Sequence, residues 1–574
     1  GILPSKTTLG RQGYDLVITV SYEPDEDGNI RPNDSIRIYS YFDQQGTSSA
    51  TVNSIVFADG TSWNYDYVRD NWNSIPDVHG GVTLEGNNED NEINGTQYND
   101  ILIGNGGNDT IDAGSGNDRI IGGTGNDTLI GGAGDDSYLW NWGDGMDTII
   151  DSGNHDKISF GSGITFENLR FRQEGNDLRI IVKNSETQGM LLTDFFRGLD
   201  YKIEDLYFYD GSIVHLSEIP LTLHQLNTAE TINLTGNGDT VYANGGNDTI
   251  YGSATKDTIY AGKGNDTVYA NGGDDLIVGG KGNDYLDGGA GNDTYVYNFG
   301  DGLDTIYDND GLNIIKFGSG IRFANISFLR KGDNLELSLY NDRTQGVIIK
   351  DYFYNNSYKN FTLQFDDNSS YNLAEMGLTL KQTDANDSVS GTSYDDVIYG
   401  NGGNDSLYGN NGNDRLIGGK GNDYLDGESG NDTYVWNLGD GFDCINDSSG
   451  DNVIEFGAGI TLENLSFERQ NGNGDDLYIF VNGDRNQGIQ IYRFFYSSSY
   501  CNFTFKFADG STFVPKDHGF DLTLPDGQTT LNGSYYNDTL TGNSQDNTIN
   551  GNNGNDTLIG GKGNDNLYGE SGND

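Results

Sequence analysis

Cysteine is almost missing from this chain. Cys444 and Cys501 are the two that 574 residues contain. No disulfide framework can hold the fold together, and one bridge between them is the most that could form. Basic residues are also few: 32 Lys and Arg stand against 87 Asp and Glu, a net charge of −55. That sign argues against nucleic acid and anionic membrane surfaces as direct partners. Hydrophobic residues make up 34%, and no apolar run is long enough to span a bilayer. Catalytic patterns are absent as well. His79, His155, His215, His224 and His518 show no H-E-x-x-H spacing, and no G-x-S-x-G elbow occurs. Gly280-Lys281-Gly282 and Gly561-Lys562-Gly563 look like pieces of a phosphate loop, but no Ser or Thr follows the lysine. The chain reads as non-enzymatic.

What it has in excess is glycine, 85 residues, and aspartate in strict phase. Gly279-Gly280-Lys281-Gly282-Asn283-Asp284-Tyr285-Leu286-Asp287 is followed at once by Gly288-Gly289-Ala290-Gly291-Asn292-Asp293-Thr294-Tyr295-Val296. Both read G-G-x-G-x-D-x-U-x, with U large and apolar. Glycine supplies the positive φ a tight six-residue turn needs, and lets carbonyls converge on an ion. Aspartate supplies a hard anionic oxygen, the donor calcium prefers. One apolar residue per nonad is a thin core, so each unit must stack on its neighbours.

The nonad recurs in four blocks. The first carries Asp100, Asp109, Asp118, Asp127 and Asp136, with Asn91 in the aspartate place of its opening unit. Ile93, Leu102, Ile111, Ile120, Leu129 and Tyr138 recur in phase as U. The second carries Asp239, Asp248, Asp257, Asp266, Asp275, Asp284 and Asp293; Lys256 beside Asp257 is expected to weaken or replace an ion. The third carries Asp387, Asp396, Asp405, Asp414, Asp423 and Asp432. The fourth carries Asp538, Asp556 and Asp565, with Asn547 at one step, and stops at Asp574 inside a nonad. The candidate carbonyl donors are Gly122, Gly123, Gly125, Gly131, Gly132, Gly134, Gly279, Gly280, Gly282, Gly288, Gly289, Gly291, Gly418, Gly419, Gly421, Gly560, Gly561 and Gly563.

Between blocks runs a second repeat of about eighty residues. It opens with Gly143-Asp144-Gly145-Met146-Asp147, Gly300-Asp301-Gly302-Leu303-Asp304 and Gly439-Asp440-Gly441-Phe442-Asp443. Aromatic triplets follow: Asp194-Phe195-Phe196, Asp351-Tyr352-Phe353-Tyr354 and Arg493-Phe494-Phe495-Tyr496. They read as core, with sugar stacking as the alternative. Before residue 80, Asp15-Leu16-Val17-Ile18-Thr19-Val20 and Ser35-Ile36-Arg37-Ile38-Tyr39-Ser40 alternate like strands, and Ile55-Val56-Phe57-Ala58-Asp59-Gly60-Thr61 reads as strand then turn. Residues 25–29 tempt an EF-hand reading but Ile30 holds the required glycine place, so they are expected to form a solvated hairpin loop.

The nonads resemble the RTX, haemolysin-type calcium-binding, repeat, and the interludes resemble the related domain that alternates with such repeats in large exoproteins and toxins. The resemblance implies an all-β chain of right-handed parallel β-rolls alternating with β-rich cap modules, and many Ca²⁺ ions held between aspartates eighteen residues apart. The expected division is a partial related module at 1–84, rolls at 85–139, 226–296, 381–435 and 526–574, and cap modules at 140–225, 297–380 and 436–525. The chain is expected to be a piece of a longer protein. No proline follows an aspartate, so the self-processed Asp-Pro bond of some RTX exoproteins is not expected here. The resemblance implies a secreted bacterial protein that meets the type I secretion machinery, folds on extracellular calcium and belongs to a toxin or exoprotein. Two alternatives stand beside it: an adhesin or surface-layer stalk touching a host cell surface or glycan, and the tail of a secreted RTX enzyme.

Overall fold

The computed structural model describes residues 81–574 apart from 153–154, 198–202, 470–473 and 498. Before residue 81 it describes five strands by their backbone: Thr7–Gln12, Asp15–Val20, Asp34–Ile38, Ser54–Val56 and Ser62–Asn64. The first three pair antiparallel in sequence order, as do the last two with each other. The strand expected at 15–20 is present, and the one expected at 35–40 is described as Asp34–Ile38, residues 39 and 40 lying outside the described residues. The loop read at 25–29, the turn at 57–61 and His79 lie outside the described residues. The chain divides into two units, Gly1–Val278 and Gly279–Asp574.

Both units are built of parallel β-solenoid coils. A nonad contributes one turn and one strand of three to six residues, and two nonads close a coil. In the first unit Leu102 pairs with Ile120, and on the other side Ile93 pairs with Ile111 and Ile111 with Leu129, each step being eighteen residues. The second unit repeats this with Ile398, Leu416 and Tyr434, and with Val389, Leu407 and Leu425. The apolar position is buried on both sides of the coil: Leu102, Ile111, Ile120, Ile398, Leu407 and Leu416 are wholly buried. One such side chain is little against the entropy of ordering nine residues. Stacking and the turns must supply the rest.

The interludes cap one sheet and splice the other. After the first roll the solenoid runs on, but its step widens from eighteen to twenty: Leu129 pairs with Ile149 and Tyr138 with Ile158. Strand Asp156–Phe160 then takes Ile203–Tyr207 in parallel, and antiparallel Ile213–His215 closes that sheet. The other sheet crosses the interlude. Met146–Ile150 pairs with Gly189–Leu192, which folds back through Asp177–Val182 to Leu169–Glu174. Leu169–Glu174 receives Thr222–His224, the opening strand of the next roll, with Phe171 opposite Leu223. The second unit makes the same handover twice. Phe328 meets Leu380 at one junction and Phe467 meets Leu522 at the other.

The aromatic triplets are core at their leading rings: Phe195, Tyr352 and Phe494 are buried, whereas Tyr354 and Tyr496 are exposed. Cys444 and Cys501 form no disulfide. Cys444 lies in strand Phe442–Asn446, while Cys501 Sγ sits 2.9 Å from the Tyr536 hydroxyl, so the conceivable bridge does not form. No helix among the described residues is long and apolar enough to cross a membrane.

Candidate metal centre

The nonad turn places its aspartate so that one carboxylate oxygen reaches the preceding coil. Asp127 Oδ1 accepts the Asp109 N–H at 2.8 Å, Asp118 accepts from Asp100 at 2.6 Å, and Asp136 from Asp118 at 2.7 Å. Asp239 accepts from Leu221, Asp257 from Asp239, Asp275 from Asp257, Asp248 from Glu230 and Asp266 from Asp248. In the second unit Asp396, Asp414 and Asp432 form one such column, Asp405 and Asp423 another, and Asp538, Asp556 and Asp574 a third. The N–H of Asp387 donates into the second of these, to Asp405, and Asp565 accepts from Asn547. Asp284 and Asp293 donate their N–H groups to Asp304 and Asn313.

The other oxygen tells the turns apart. Asp109, Asp127, Asp136, Asp248, Asp405, Asp414, Asp423, Asp432 and Asp556 each bury Oδ2 with no hydrogen-bond partner. Burying a polar oxygen in this way is costly. The leading glycine makes room for that atom. A Cβ on Gly122, Gly131, Gly279, Gly288, Gly418 or Gly560 would run into Oδ2 of Asp127, Asp136, Asp284, Asp293, Asp423 or Asp565 respectively. A Cβ on Gly104 would touch Asp109 Oδ2 and the Gly122 carbonyl together, and one on Gly400 would touch Asp405 Oδ2 and the Gly418 carbonyl. A carboxylate from one coil and a carbonyl from the next thus converge on one small space. The later glycines shape the turn. Gly123 and Gly125 have φ of +100° and +148°, a region costly for other residues. Gly132, Gly134, Gly280, Gly282, Gly289, Gly291, Gly419, Gly421, Gly561 and Gly563 also lie at positive φ. The donors are hard oxygens in closely stacked pairs, which fits a calcium ion.

The electrostatics agree. Burial, reinforced by neighbouring aspartates, pushes Asp127 and Asp423 up to about 6, Asp414 to about 7 and Asp136 to about 8. A cation in the cradle reverses that preference, because an opposite charge favours the ionised form.

Turns with Ser or Thr after the leading residue behave differently. Thr383 and Ser534 donate N–H and hydroxyl to Oδ2 of Asp387 and Asp538, and Ser253 does so for Asp257. Thr96, Thr235 and Thr392 donate to Oδ2 of Asp100, Asp239 and Asp396. Asp257 therefore keeps its column place beside Lys256, and the donor to its second oxygen is Ser253. Asn91 keeps the fold of its turn, accepting the Asn87 N–H at 2.6 Å, but brings no charge.

Counting by nines misses the aspartates that continue the columns at the junctions. The widened coil carries each column onward: Asp147 accepts from Asp127, Asp156 from Asp136, and Asp443 from Asp423. Burial pushes Asp147 up to about 8, and Asp156 and Asp443 to about 9. The repeated Gly-Asp-Gly-x-Asp openings were the signal for Asp147 and Asp443, which the two-residue insertion puts out of phase; no repeated motif marks Asp156.

The family model for the RTX calcium-binding nonapeptide repeat (4 copies) matches residues 85–120, 113–139, 235–268, 260–295, 269–303, 382–416, 408–435, 526–558 and 541–574. That for the haemolysin-type calcium binding protein related domain matches residues 15–67. No curated protein matches the chain. Solved structures that match include the extracellular lipase LipA from Serratia marcescens, at 18% identity and a TM-score of 0.15, over 45% of this chain and 42% of that one. The chain thus spans less than half of the lipase, and a likeness of that degree carries no argument.

Proposed function

Because the chain is an RTX protein, built on calcium-binding nonapeptide repeats, we propose that its rolls fold as calcium fills the aspartate columns after secretion. The observation that carries this is the set of buried Oδ2 atoms without a partner. Each ion is held by carboxylates and carbonyls of neighbouring coils, and a chain with this many turns takes on the order of fifteen to twenty. The ligands are the column aspartates, joined by Asp147, Asp304 and Asp443 at the junctions, and the turn glycines give their carbonyls. Affinities of extracellular modules are about 10⁻⁴–10⁻³ M, so the sites stay empty in a cytosol poor in calcium. The chain then passes the type I secretion machinery unfolded and gains its structure outside, where binding energy becomes folding energy. In this role it is the calcium-dependent part of a toxin or related exoprotein. Circular dichroism with calcium and with chelator tests it: the β-signal is expected to collapse on chelation, and an unchanged spectrum would falsify the mechanism.

A second reading, a calcium-stiffened adhesin or stalk with glycan contacts, draws on one cleft. Phe442, Tyr478 and Phe480 stack within 6.2 Å of one another beside Arg485 and Gln528, in a cavity of about 410 Å³. Aromatic faces with flanking polar groups suit sugar rings. A glycan array in the presence of calcium separates the two readings.

A further inference from the structure

The last nonad of each of the first three rolls closes on a turn that does not begin with glycine. In the first roll Asp151 stands where the body of the roll has a glycine, and Asp156 holds the column place. Tyr138 occupies the apolar position of the nonad, and its hydroxyl donates to Asp151 Oδ2 at 2.5 Å. The Asp136 N–H donates to Asp156 Oδ1 at 2.7 Å. The three carboxylates are 0%, 6% and 1% exposed for Asp136, Asp151 and Asp156, and one oxygen from each lies within 4.8 Å of the others. A Cβ on Gly131 would fall 2.5 Å from Asp151 Oδ2, 2.6 Å from Asp136 Oδ2 and against the Tyr138 hydroxyl. Three oxygens therefore converge on one point, and Asp136 Oδ2, fully buried and aimed there, has no hydrogen-bond partner.

The other two complete roll ends are built alike but for one atom. Tyr295 donates to Asp308 and Tyr434 to Asp447, at 2.7 and 2.6 Å. The column place is Asn313 in one and Asn452 in the other, each accepting the N–H of the last aspartate. Their amide groups are committed to the Asp310 and Ser449 carbonyls at 2.9 and 3.0 Å. Those ends hold two carboxylates; the first holds three.

We propose that Asp136, Asp151 and Asp156, with the Tyr138 hydroxyl as a neutral fourth donor, form a hard-cation site at the end of the first roll. It takes calcium more tightly than the column cradles, and a trivalent lanthanide more tightly still, because ligand charge count sets affinity in oxygen sites. A divalent ion leaves the site one charge negative; a trivalent ion neutralises it. The site rests on the calcium-loading reading of the columns, but its order of filling does not follow from that reading.

The whole chain is titrated with calcium by equilibrium dialysis, and with terbium by emission excited through tyrosine. Asp156→Asn, which copies the other two ends, is expected to weaken the tightest class of sites by about tenfold and to leave the column midpoints in place. Asn313→Asp is expected to add a second tight site. Tyr138→Phe is expected to remove emission from the first equivalent of terbium. If Asp156→Asn keeps the tightest class and Asn313→Asp adds nothing, while the columns still fill, the proposal is overturned and the wider reading stands. A chain that takes up no calcium overturns both.

Discussion

Two turns of the third roll carry aspartate at the same phase and treat it differently. In residues 391–396, Thr392 donates to Asp396 Oδ2 from its hydroxyl at 3.0 Å, so the chain itself satisfies the carboxylate. In residues 418–423 glycine stands in that place, and Asp423 buries the same oxygen with nothing to meet it. The N–H and hydroxyl of Thr392 together separate a carboxylate satisfied within its own turn from one left with an orphan oxygen. Five of the six turns with Ser or Thr, at Asp100, Asp239, Asp387, Asp396 and Asp538, stand near the front of their blocks. The glycine turns fill the body. A roll therefore starts on turns whose carboxylates the chain itself satisfies and continues on turns that leave an oxygen free for the proposed ions.

The broadest way to break this comparison is to take the metal away. In chelator the body turns should open throughout the chain and most of the β-signal in circular dichroism should go; retention of the full signal would mean the orphan oxygens are tolerated. Next in size is a contrast of two substitutions. Asp414→Ala removes a body ligand and the acceptor of the Asp396 N–H, a charged hydrogen bond of about 1.5–3 kcal/mol. It should lose more bound calcium in isothermal titration than Asp396→Ala; equal losses would erase the distinction between front and body. Smaller still is the effect of Thr392→Gly, which turns a front turn into a body turn. It should cost about 1 kcal/mol in chelator and recover with calcium, as denaturant titration in both conditions would reveal.

The smallest expected effect is that of pH on the metal-free chain. A carboxyl whose folded pKa is raised above 3.8 contributes fully below that value and loses its contribution as pH climbs through the folded value. For Asp414 and Asp423 the window closes at about 7 and 6, and for Asp443 at about 9. Without calcium, residual β-structure should therefore be greater near pH 4 than near pH 9. The opposite order would show that these carboxylates are not buried in the absence of metal.

Period and chemistry were legible because each nonad repeats both. Asp414, Leu416 and Gly418 can be placed in a coil by counting alone. The junctions were not. The pairing of Tyr138 with Ile158 needs a step of twenty, and the extra two residues shift Asp147 and Asp156 out of the nine-residue count. The partnership of Phe171 with Leu223 joins positions 52 residues apart through a meander whose strands alternate like any others; no local pattern announces which distant edge they meet. The hydroxyl at Thr392 was visible, but its effect on Asp396 depends on the closed turn that brings the two together.

The splice at each junction has a mechanical reading. Leu465–Arg469 offers its edge to Asp521–Thr523 with Phe467 against Leu522, so the first strand of the next roll is aligned by a strand of the module before it. Each roll thus continues, in register, a sheet laid out by the module before it in the chain. Tension along the molecule is borne at these joints by hydrogen-bonded ribbon in place of slack tether, and a joint can part only by tearing a sheet.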